Sequence, residues 1–449
     1  MRFLRFKRVG EGVKVDEVKF LRRYERFYES SGLKVLVIDT NLCLDHVLRF
    51  VEDGCVVYYY IADISAFPKM EDNVSGSGFD GVLKVSDFAQ VVDEVDFVYI
   101  SDSCFPWLAK FLRDKGKNVF GSTPLLAKFE DDRVFAYERL QELGIDVPEG
   151  KVCRGWREVL DYIGRNEEEG RRFFVKINKW RGDIETFSAV NVKEAETILS
   201  QAGFGPYLDE LEFLVQKECK GIEIGCDAWV CPEGVCLPIS YTIEEKGRGN
   251  VAVWQGEGSG FLRDFYSKMM RLVEEDGYCG MLCVEGFWDG RSFKVIDITP
   301  RCPFPVSSLY VRFVRNFTEL VYSISVGRRV DVEVDLEQRF MAEITIYTDE
   351  RGIWRVIEFD YDLLKMKDSD GIGLRRAVMK DGKVWFVPGD GLVATANAKG
   401  VSIEEALDRA VRLAESVKCM FSQFDGQFVR SVLGKIERLK DLGGDFVFG

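Results

Sequence analysis

Apolar runs alternate with amphipathic stretches from Lys34 onward. The runs KVLVI, GCVVYYYIA and FVYISD predict buried strands, and LDHVLRFVE and FPWLAKFLRDKG predict helices between them. Strands that alternate with helices in this way form parallel sheets. The pattern therefore predicts a parallel α/β domain over residues 34–122, preceded by a charged N-terminal extension at 1–33 with a helix near 16–29.

A different pattern begins after residue 122. The stretch LLAKFEDDRVFAYERLQELG predicts one long amphipathic helix that ends at Gly144. The apolar strands RRFFVKI, ELEFLVQKE and KGIEIGCDAWV follow, then a polar, glycine-rich segment at 244–260 and a helix near 261–275. We expect a second domain over 123–328 and a C-terminal α+β domain over 329–449. The latter has a helix with a capping box at Ser402 and Glu405.

Length and composition limit the function classes. With 449 residues the chain is too long for one core, and about three domains are expected. No apolar run approaches the ~20 residues of a membrane span, and the N-terminus does not resemble a secretory signal, so we expect a cytoplasmic protein. The twelve cysteines are scattered and are interpreted as reduced core residues. A net charge of −14 argues against nucleic acid or an anionic membrane as a partner.

The stretch KVIDITPR carries the clearest chemistry. Side chains alternate faces along a strand, so Asp297, Thr299 and Arg301 are expected on one side, with Ile296 and Ile298 on the other. The preceding run GMLCVEGFW and the turn WDGRS predict a hairpin that brings Glu285 beside Asp297. Paired carboxylates suit Mg²⁺, which takes oxygen ligands from protein and phosphates. An ordinary hairpin with solvated acids is the alternative.

Two further groups of cations are candidate anion contacts. Lys176 lies on an apolar strand, and Lys179, Arg181 and Gly182 follow it in a loop. Lys246 and Arg248 lie in the segment EEKGRGN, where solvated loop charges are an equal alternative.

The order of these motifs resembles the ATP-grasp superfamily, and within it the phosphoribosylamine–glycine ligase (GAR synthetase) branch. The matching segments are VFGSTPLLAKFEDDRVFAYERLQELGIDVP, EEKGRGN, VIDITPR and GDGLVATANAKGVSIEEALDRA. The resemblance implies an N-terminal parallel-sheet preATP-grasp domain and a central ATP-grasp domain. It also implies a mobile lid at about 151–215 and a small C-terminal α+β domain.

Roles follow from this resemblance residue by residue. It implies ATP contacts for Arg133, Lys176, Lys179, Arg181, Gly182, Gln216, Lys217 and Glu223, with Gln216 and Lys217 at adenine and Glu223 at ribose. It implies metal ligands at Glu285, Asp297 and Thr299, where Thr299 replaces the family's asparagine. Lys176 and Arg301 would serve catalysis, and Lys246, Arg248 and Arg301 would bind substrate.

The implied function is an ATP-dependent carboxylate–amine ligase that uses Mg²⁺ or Mn²⁺ and works through an acyl phosphate. Its partners would be a small carboxylate, such as glycine or another small amino acid, and an amine, and it would be a monomer or a homodimer. Three alternatives are a phosphotransferase, a nucleotide-binding protein with decayed catalysis, and a ligase for a modified nucleobase or nucleotide.

The turn after the first strand departs from the family. Relatives have a glycine-rich turn that ends in Arg-Glu-His, whereas this chain reads IDTNLCLDH, with only Asp45 and His46 matching its end. Without those glycines the backbone cannot approach a phosphate in the same way. The sequence therefore predicts a changed amine substrate.

Overall fold

The computed structural model describes residues 32–62, 69–168, 170–179, 186–256, 258 and 260–448. The helix expected near 16–29 and the loop residues Arg181 and Gly182 lie outside these ranges. Within them, no helix has the length and apolar character needed to cross a membrane.

The first unit is a parallel sheet covered by helices. Its elements are β1 (Lys34–Asp39), α1 (Leu44–Glu52), β2 (Val56–Ile61), α2 (Met70–Asn73), β3 (Val82–Lys84), a 3-10 helix (Phe88–Gln90), β4 (Phe97–Ile100), α3 (Pro106–Asp114) and β5 (Val119–Phe120). All pairings are parallel, in the order β3-β2-β1-β4-β5. Val35 and Val37 pack on one face of β1, and Leu36 and Ile38 pack on the other. Burial of both faces explains the unbroken apolar runs, and the expected parallel α/β arrangement is confirmed.

Two helices, not one, connect this sheet to the rest of the chain. They are α4 (Pro124–Asp131) and α5 (Arg133–Glu142), so the expected single helix is wrong. Asp132 between them has extended backbone angles, with φ −123° and ψ 91°. Its side chain accepts a hydrogen bond from the Phe135 amide at 3.0 Å, which caps α5. Arg133 is therefore the first residue of a new helix.

A separate antiparallel sheet forms the lid region. Its elements are β6 (Gly150–Arg154), α6 (Trp156–Asn166), β7 (Phe173–Ile177), β8 (Thr186–Ala189), α7 (Val192–Gln201), a 3-10 helix (Gly205–Asp209) and β9 (Glu212–Lys217), with strand order β6-β9-β7-β8. Val159, Val175 and Phe213 are among the residues of a core that belongs to this unit alone. The unit covers the residues expected to form a mobile lid at about 151–215, and its role as a lid stays a prediction.

The central elements form one end of a large antiparallel sheet. They are β10 (Ile222–Cys231), β11 (Gly234–Val235), β12 (Ile239–Glu245), β13 (Gly249–Gln255), α8 (Gly260–Asp276), β14 (Gly280–Trp288), β15 (Phe293–Thr299), α9 (Ser307–Phe313) and α10 (Phe317–Ser325). The glycine-rich segment at 244–260 is largely strand, because β12 and β13 pair from Ile239↔Gln255 to Glu245↔Gly249. Val251 and Val253 within it are fully buried.

The C-terminal elements extend that sheet and add a small one. They are β16 (Phe340–Thr348), β17 (Arg355–Glu358), a 3-10 helix (Tyr361–Leu364), β18 (Gly371–Gly373), β19 (Ala377–Lys380), β20 (Lys383–Phe386), β21 (Leu392–Gly400), α11 (Ile403–Ser416), β22 (Lys418–Cys419), β23 (Ser422–Gln423), α12 (Phe428–Asp441) and α13 (Asp445–Phe448). Ser402 caps α11 by accepting from the Glu405 amide at 3.2 Å, as expected.

The large sheet is continuous across residue 329, where the sequence predicts a domain boundary. Its order is β15-β14-β10-β12-β13-β16-β21-β18, with β11 on β10 and β23 on β16. The small sheet has the order β19-β20-β17-β22. The edge formed by β15, β14 and β10 lies beside the lid, and the candidate site is found there.

Candidate active site

A cleft of about 950 Å³ lies between the lid sheet and the edge of the large sheet. Helix α5, the lid strands, and strands β10, β14 and β15 all contribute to its walls. The lining residues are Arg133, Pro148, Phe174, Lys176, Thr186, Gln216, Lys217, Cys219, Glu223, Lys246, Glu285, Phe287, Ile296 and Asp297. Eight of these are residues that the sequence selects: Arg133, Lys176, Gln216, Lys217, Glu223, Lys246, Glu285 and Asp297.

The predicted hairpin places two carboxylates side by side. Glu285 of β14 pairs with Asp297 of β15, but the next pair is Gly286 with Val295. Ile296 is thus an extra residue in a β-bulge, which locally redirects the strand. Ile296 and Asp297 consequently both line the cleft, and the expected strict alternation, with Ile296 facing away, is wrong.

Two cations hold the Asp297 end of the cleft. Arg133 Nη1 lies 2.9 Å from Asp297 Oδ2. Lys176 Nζ donates to the Ile296 carbonyl at 2.8 Å, so the bulge supplies the acceptor for the lid lysine. Burial lowers the pKa of Lys176, and Asp297 opposes this effect. Burial alone would raise the pKa of Asp297, but Lys176 and Arg133 outweigh it and hold that pKa below its usual value.

Glu285 lies in an excess of negative charge. Burial, together with Asp297, Glu244 and Glu223, raises its pKa to about 8, and Lys246 only partly compensates. Nearby acids that raise one another's pKa attract a cation. Among the described residues, no group of three or more His, Cys, Asp or Glu side chains would hold a metal ion unaided. Two carboxylates nevertheless fit Mg²⁺, because that ion takes its other ligands from water and substrate phosphates.

The opposite end of the cleft is more apolar. Gln216 and Lys217 end strand β9, but the Lys217 amide donates to the Glu149 carbonyl at 2.8 Å, and its ammonium pairs with the Glu149 carboxylate. The Lys217 amide, which the resemblance places at adenine, therefore already donates to a protein acceptor. Phe174 and Phe287, which the sequence reasoning missed, supply flat apolar surface there.

A signal for these two phenylalanines was present in the sequence. Phe174 precedes Lys176 by two positions, and Phe287 follows Glu285 by two. Residues two apart on a strand share a face. Each phenylalanine therefore faces the cleft together with a residue that the chemistry had already identified. Cys219 and Thr186, also missed, carry no such signal.

Comparison with known proteins relies on structure alone. No family model matches the sequence, and no curated protein does. Phosphoribosylamine–glycine ligase from Thermotoga maritima superimposes with a TM-score of 0.65 at 17% identity, over 87% of this chain and 99% of that one. The biotin carboxylase domain of the 2-oxoglutarate carboxylase from Hydrogenobacter thermophilus, solved with MgADP, ADP and bicarbonate, gives 0.62 at 13% identity, over 93% and 99%.

A third solved structure also superimposes on most of this chain. N5-carboxyaminoimidazole ribonucleotide synthetase from Thermotoga maritima matches with a TM-score of 0.57 at 15% identity, over 86% of this chain and 99% of that one. The chain has an ATP-grasp fold. The fold expected from the sequence motifs is therefore confirmed over most of the chain.

Two predicted site residues lie outside the lining of the cleft: Thr299, expected to bind metal, and Arg301, expected to serve catalysis and to bind substrate. Thr299 pairs with Cys283 and is not part of the lining that the described residues form. Arg301 lies beyond the end of β15, with Nη2 2.9 Å from Glu130 and Nε 4.0 Å from Asp102. Burial would lower the pKa of Arg301, but these carboxylates raise it above its usual value. Arg301 thus connects the end of β15 to helix α4 and to the residues that follow β4.

Two other predicted cations are held by acids away from the cleft. Lys179 Nζ lies 3.1 Å from Asp132, the residue that caps α5, so the loop after β7 contacts the start of that helix. Arg248 Nε lies 3.0 Å from Asp425, which explains why Lys246 lines the ATP-grasp cleft and Arg248 does not.

Proposed function

We propose that this protein is an ATP-dependent carboxylate–amine ligase that forms an amide bond and releases ADP and phosphate. The observation that carries the proposal is the convergence, in one cleft, of three cations and two adjacent carboxylates. These are Arg133, Lys176 and Lys246 with Glu285 and Asp297. The three solved structures described above have the same fold, and each name or bound ligand refers to ligase, synthetase or MgADP chemistry.

The residues of the cleft divide by chemistry into two ends. Arg133 and Lys176 would contact the ATP phosphates, as charge-assisted donors do. Glu223 would accept from the ribose hydroxyls, and Phe174 and Phe287 would pack on adenine. This arrangement would put the γ-phosphoryl group near Asp297.

Glu285 and Asp297 would hold Mg²⁺ or Mn²⁺. The bound ion would neutralise phosphate charge and polarise the phosphoryl group. Arg133 pairs with Asp297, and the charge of Lys246 opposes the rise in the pKa of Glu285.

The chemistry explains why a lid is needed. A carboxylate is a poor electrophile, and transfer of the γ-phosphoryl group converts it to an acyl phosphate. An amine then attacks the carbonyl carbon, phosphate leaves and a proton is released. Because acyl phosphates hydrolyse readily, water must be excluded, which is the role proposed for the lid at 151–215. Glycine or another small amino acid is the proposed acyl donor, and Arg301 would neutralise charge on the reacting groups.

The test is release of ADP by purified protein with MgATP and a matrix of small carboxylates and amines. We expect release that requires both a carboxylate and an amine, and that stops when EDTA removes the metal. Asp297→Asn should abolish turnover while circular dichroism stays unchanged. Asp289→Asn, in the turn of the same hairpin and outside the lining of the cleft, is the matched control and should retain full turnover.

A nucleotide-binding protein without turnover is the second candidate. Arg301 favours it, since Glu130 and Asp102 neutralise this guanidinium, whereas the ligase chemistry needs a free cation near the acyl group. Calorimetry with MgATP distinguishes the two, because this candidate binds nucleotide and releases no ADP with any pair of substrates. ADP release that needs a single acceptor and yields a stable phosphorylated product would indicate a phosphotransferase.

We further propose a cytoplasmic enzyme that is a monomer or a homodimer. Among the described residues no cysteine takes part in a disulfide bond, in keeping with a reducing compartment.

A further inference from the structure

The first parallel sheet contains a position where many α/β proteins bind phosphate. Its strand order changes direction between β1 and β4, and ligands bind at the carboxyl ends of strands at such a point. Helix α1 begins shortly after β1, and phosphate groups commonly bind at helix N-termini in this setting. The turn between them, IDTNLCLDH, contains no glycine.

The carboxylate of Asp39 already fills this position. Its Oδ1 accepts from the Leu42 amide at 2.9 Å and from the Ser101 hydroxyl at 2.9 Å. Its Oδ2 accepts from the Cys43 amide at 3.1 Å and from the Tyr59 hydroxyl at 2.6 Å. Asp39 is fully buried. Two amides and two hydroxyls are the donors that an external phosphate would need, and an internal anion uses all four.

The next amides of helix α1 also have acceptors within the protein. The Asp45 amide donates to the Leu374 carbonyl at 3.0 Å. The His46 amide donates to the Asp45 carboxylate at 2.9 Å. The start of this helix is therefore satisfied by the chain itself, from both its own side chains and the C-terminal region.

The rim of the crevice is acidic as well. Asp102 follows β4 and accepts from the Thr40 hydroxyl at 3.1 Å. Glu130 accepts from the Ser103 hydroxyl at 2.7 Å, and both acids lie beside the single guanidinium of Arg301. Two carboxylates around one cation leave negative charge in this group. Two further cations lie near Asp39: Lys84, whose Nζ is 4.2 Å from the centre of the Tyr59 ring, and Arg375, which pairs with Asp390 at 2.8 Å. Asp39 and Asp390 offset these two charges, so the group formed by Asp102, Glu130 and Arg301 disfavours a phosphate and favours an ammonium group.

We propose that the first domain binds an amine acceptor that has no phosphate group. Asp39 sets this specificity because it occupies the donors that a phosphate would need. The acceptor class is a non-phosphorylated amine, such as an amino acid or an amino alcohol, that enters at the carboxyl ends of β1 and β4. This inference rests on the proposed ligase function, because only a ligase has an amine acceptor. The exclusion of phosphate, however, can be measured without turnover.

The binding experiment uses ribose 5-phosphate as the probe, in calorimetry with the ATP cleft saturated by a non-hydrolysable MgATP analogue. We expect no saturable binding to the wild-type protein up to millimolar probe. Asp39→Gly frees the Leu42 and Cys43 amides and should tighten binding by roughly tenfold or more, the effect of one charge-assisted hydrogen bond. Saturable binding of the probe to the wild-type protein would overturn the proposal.

Two further variants support the binding experiment, a second substitution of Asp39 and a control. Asp39→Asn keeps the size of the side chain and removes its charge, so it should also gain affinity for ribose 5-phosphate. It provides the test if the glycine variant does not fold. Asp96→Asn is the matched control, because Asp96 accepts from the Lys34 amide at 2.9 Å at the opposite end of β1. It should behave as wild type. If neither Asp39 variant gains affinity, Asp39 does not set the specificity and the proposal fails.

A turnover experiment uses matched acceptors that differ by one phosphate group. The pairs are ethanolamine with O-phosphoethanolamine and serine with O-phosphoserine, each with MgATP and glycine. We expect a higher kcat/KM for the unphosphorylated member, and preference for the phosphorylated member would contradict the inference. Failure of MgATP to bind at all would remove the proposed function, whereas the titration with ribose 5-phosphate, repeated without nucleotide, would still test the exclusion of phosphate.

Discussion

At the scale of single residues, a substitution of Lys176 tests the proposed nucleotide binding. Lys176 is 8% exposed and reaches across from the lid to the Ile296 carbonyl at 2.8 Å. Lys176→Met keeps much of the apolar stem and removes the charge. We expect MgATP to bind about ten- to a hundredfold more weakly, since a hydrogen bond to a charged group contributes about 1.5–3 kcal/mol.

Isothermal titration with MgATP measures this loss. Lys220→Met is the matched control, because Lys220 is exposed on the segment between β9 and β10 and does not line the cleft. An unchanged Kd for Lys176→Met would remove Lys176 from the phosphate site.

Asp45 and His46 are neighbours whose titrations oppose each other. His46 is buried, 2.5 Å from the Tyr99 hydroxyl and 3.2 Å from the Ser307 hydroxyl, and burial lowers its pKa to about 3. Asp45 accepts from the Ser308 hydroxyl at 2.5 Å, and burial raises its pKa to about 6, with Arg312 opposing and Asp39 adding to the shift. The unfolded chain would titrate His46 near 6.5 and Asp45 near 3.8.

The two variants should therefore show opposite pH dependence relative to wild type. In His46→Gln only Asp45 remains, and since the folded state holds its proton longer, stability should fall relative to wild type as pH rises from about 4 to 6. In Asp45→Asn only His46 remains, and since the unfolded state takes up its proton first, stability should rise over the same interval. Each slope approaches about 1.4 kcal/mol per pH unit. Urea unfolding at several pH values measures both, and slopes of the same sign would contradict the assignment.

At the scale of elements, periodicity predicted most strands and helices because burial controls them. Strand β1 and helix α1 lie where the apolar pattern placed them. The break at Asp132 was missed because the apolar pattern continues through it, while the cap hydrogen bond from the Phe135 amide to Asp132 begins a new helix. The bulge at Ile296 was missed because it depends on the register with a neighbouring strand, which alternation within one strand does not contain.

Helix α5 offers a test of whether that break matters for function. Asp132→Ala removes the cap and also the partner of Lys179, and should lower the free energy of unfolding by about 1 kcal/mol. It should also weaken MgATP binding, because Arg133 is the first residue of the frayed turn. Ser402→Ala, at the start of the remote helix α11, should cost about the same stability and leave nucleotide binding unchanged.

Thermal unfolding and calorimetry on the same samples separate the two effects. Equal losses of nucleotide affinity in both variants would mean that general destabilisation, not the position of Arg133, is responsible.

At the scale of the whole molecule, the sequence motifs predicted the fold, but no feature of the sequence predicted which distant strands pair. The continuous sheet depends on β13 pairing with β16, and these strands come from different predicted domains. No local pattern specifies such a partner. The same reason explains Arg248, whose side chain pairs with Asp425 of the C-terminal region and not with a ligand in the cleft.

Arg312 connects these distant parts and gives the last prediction. It is 1% exposed on helix α9, and its guanidinium donates to the carbonyls of four C-terminal residues, Leu363, Lys365, Ser369 and Ile372. Arg312→Met fills the space but leaves these buried acceptors without a donor, at about 1–3 kcal/mol each where water does not reach them. We expect a loss of about 4 kcal/mol in the free energy of unfolding, near the upper end of single substitutions.

Urea unfolding monitored by tryptophan fluorescence measures the loss, and Arg291→Met in the exposed turn of the β14–β15 hairpin is the control, with an expected change within about 0.5 kcal/mol. Because Arg312 does not line the cleft, the folded fraction of the variant should bind MgATP as wild type does. A loss of nucleotide affinity at full folding would mean that the C-terminal region helps to shape the cleft. A loss of stability below about 1 kcal/mol would mean that water replaces the guanidinium at these carbonyls.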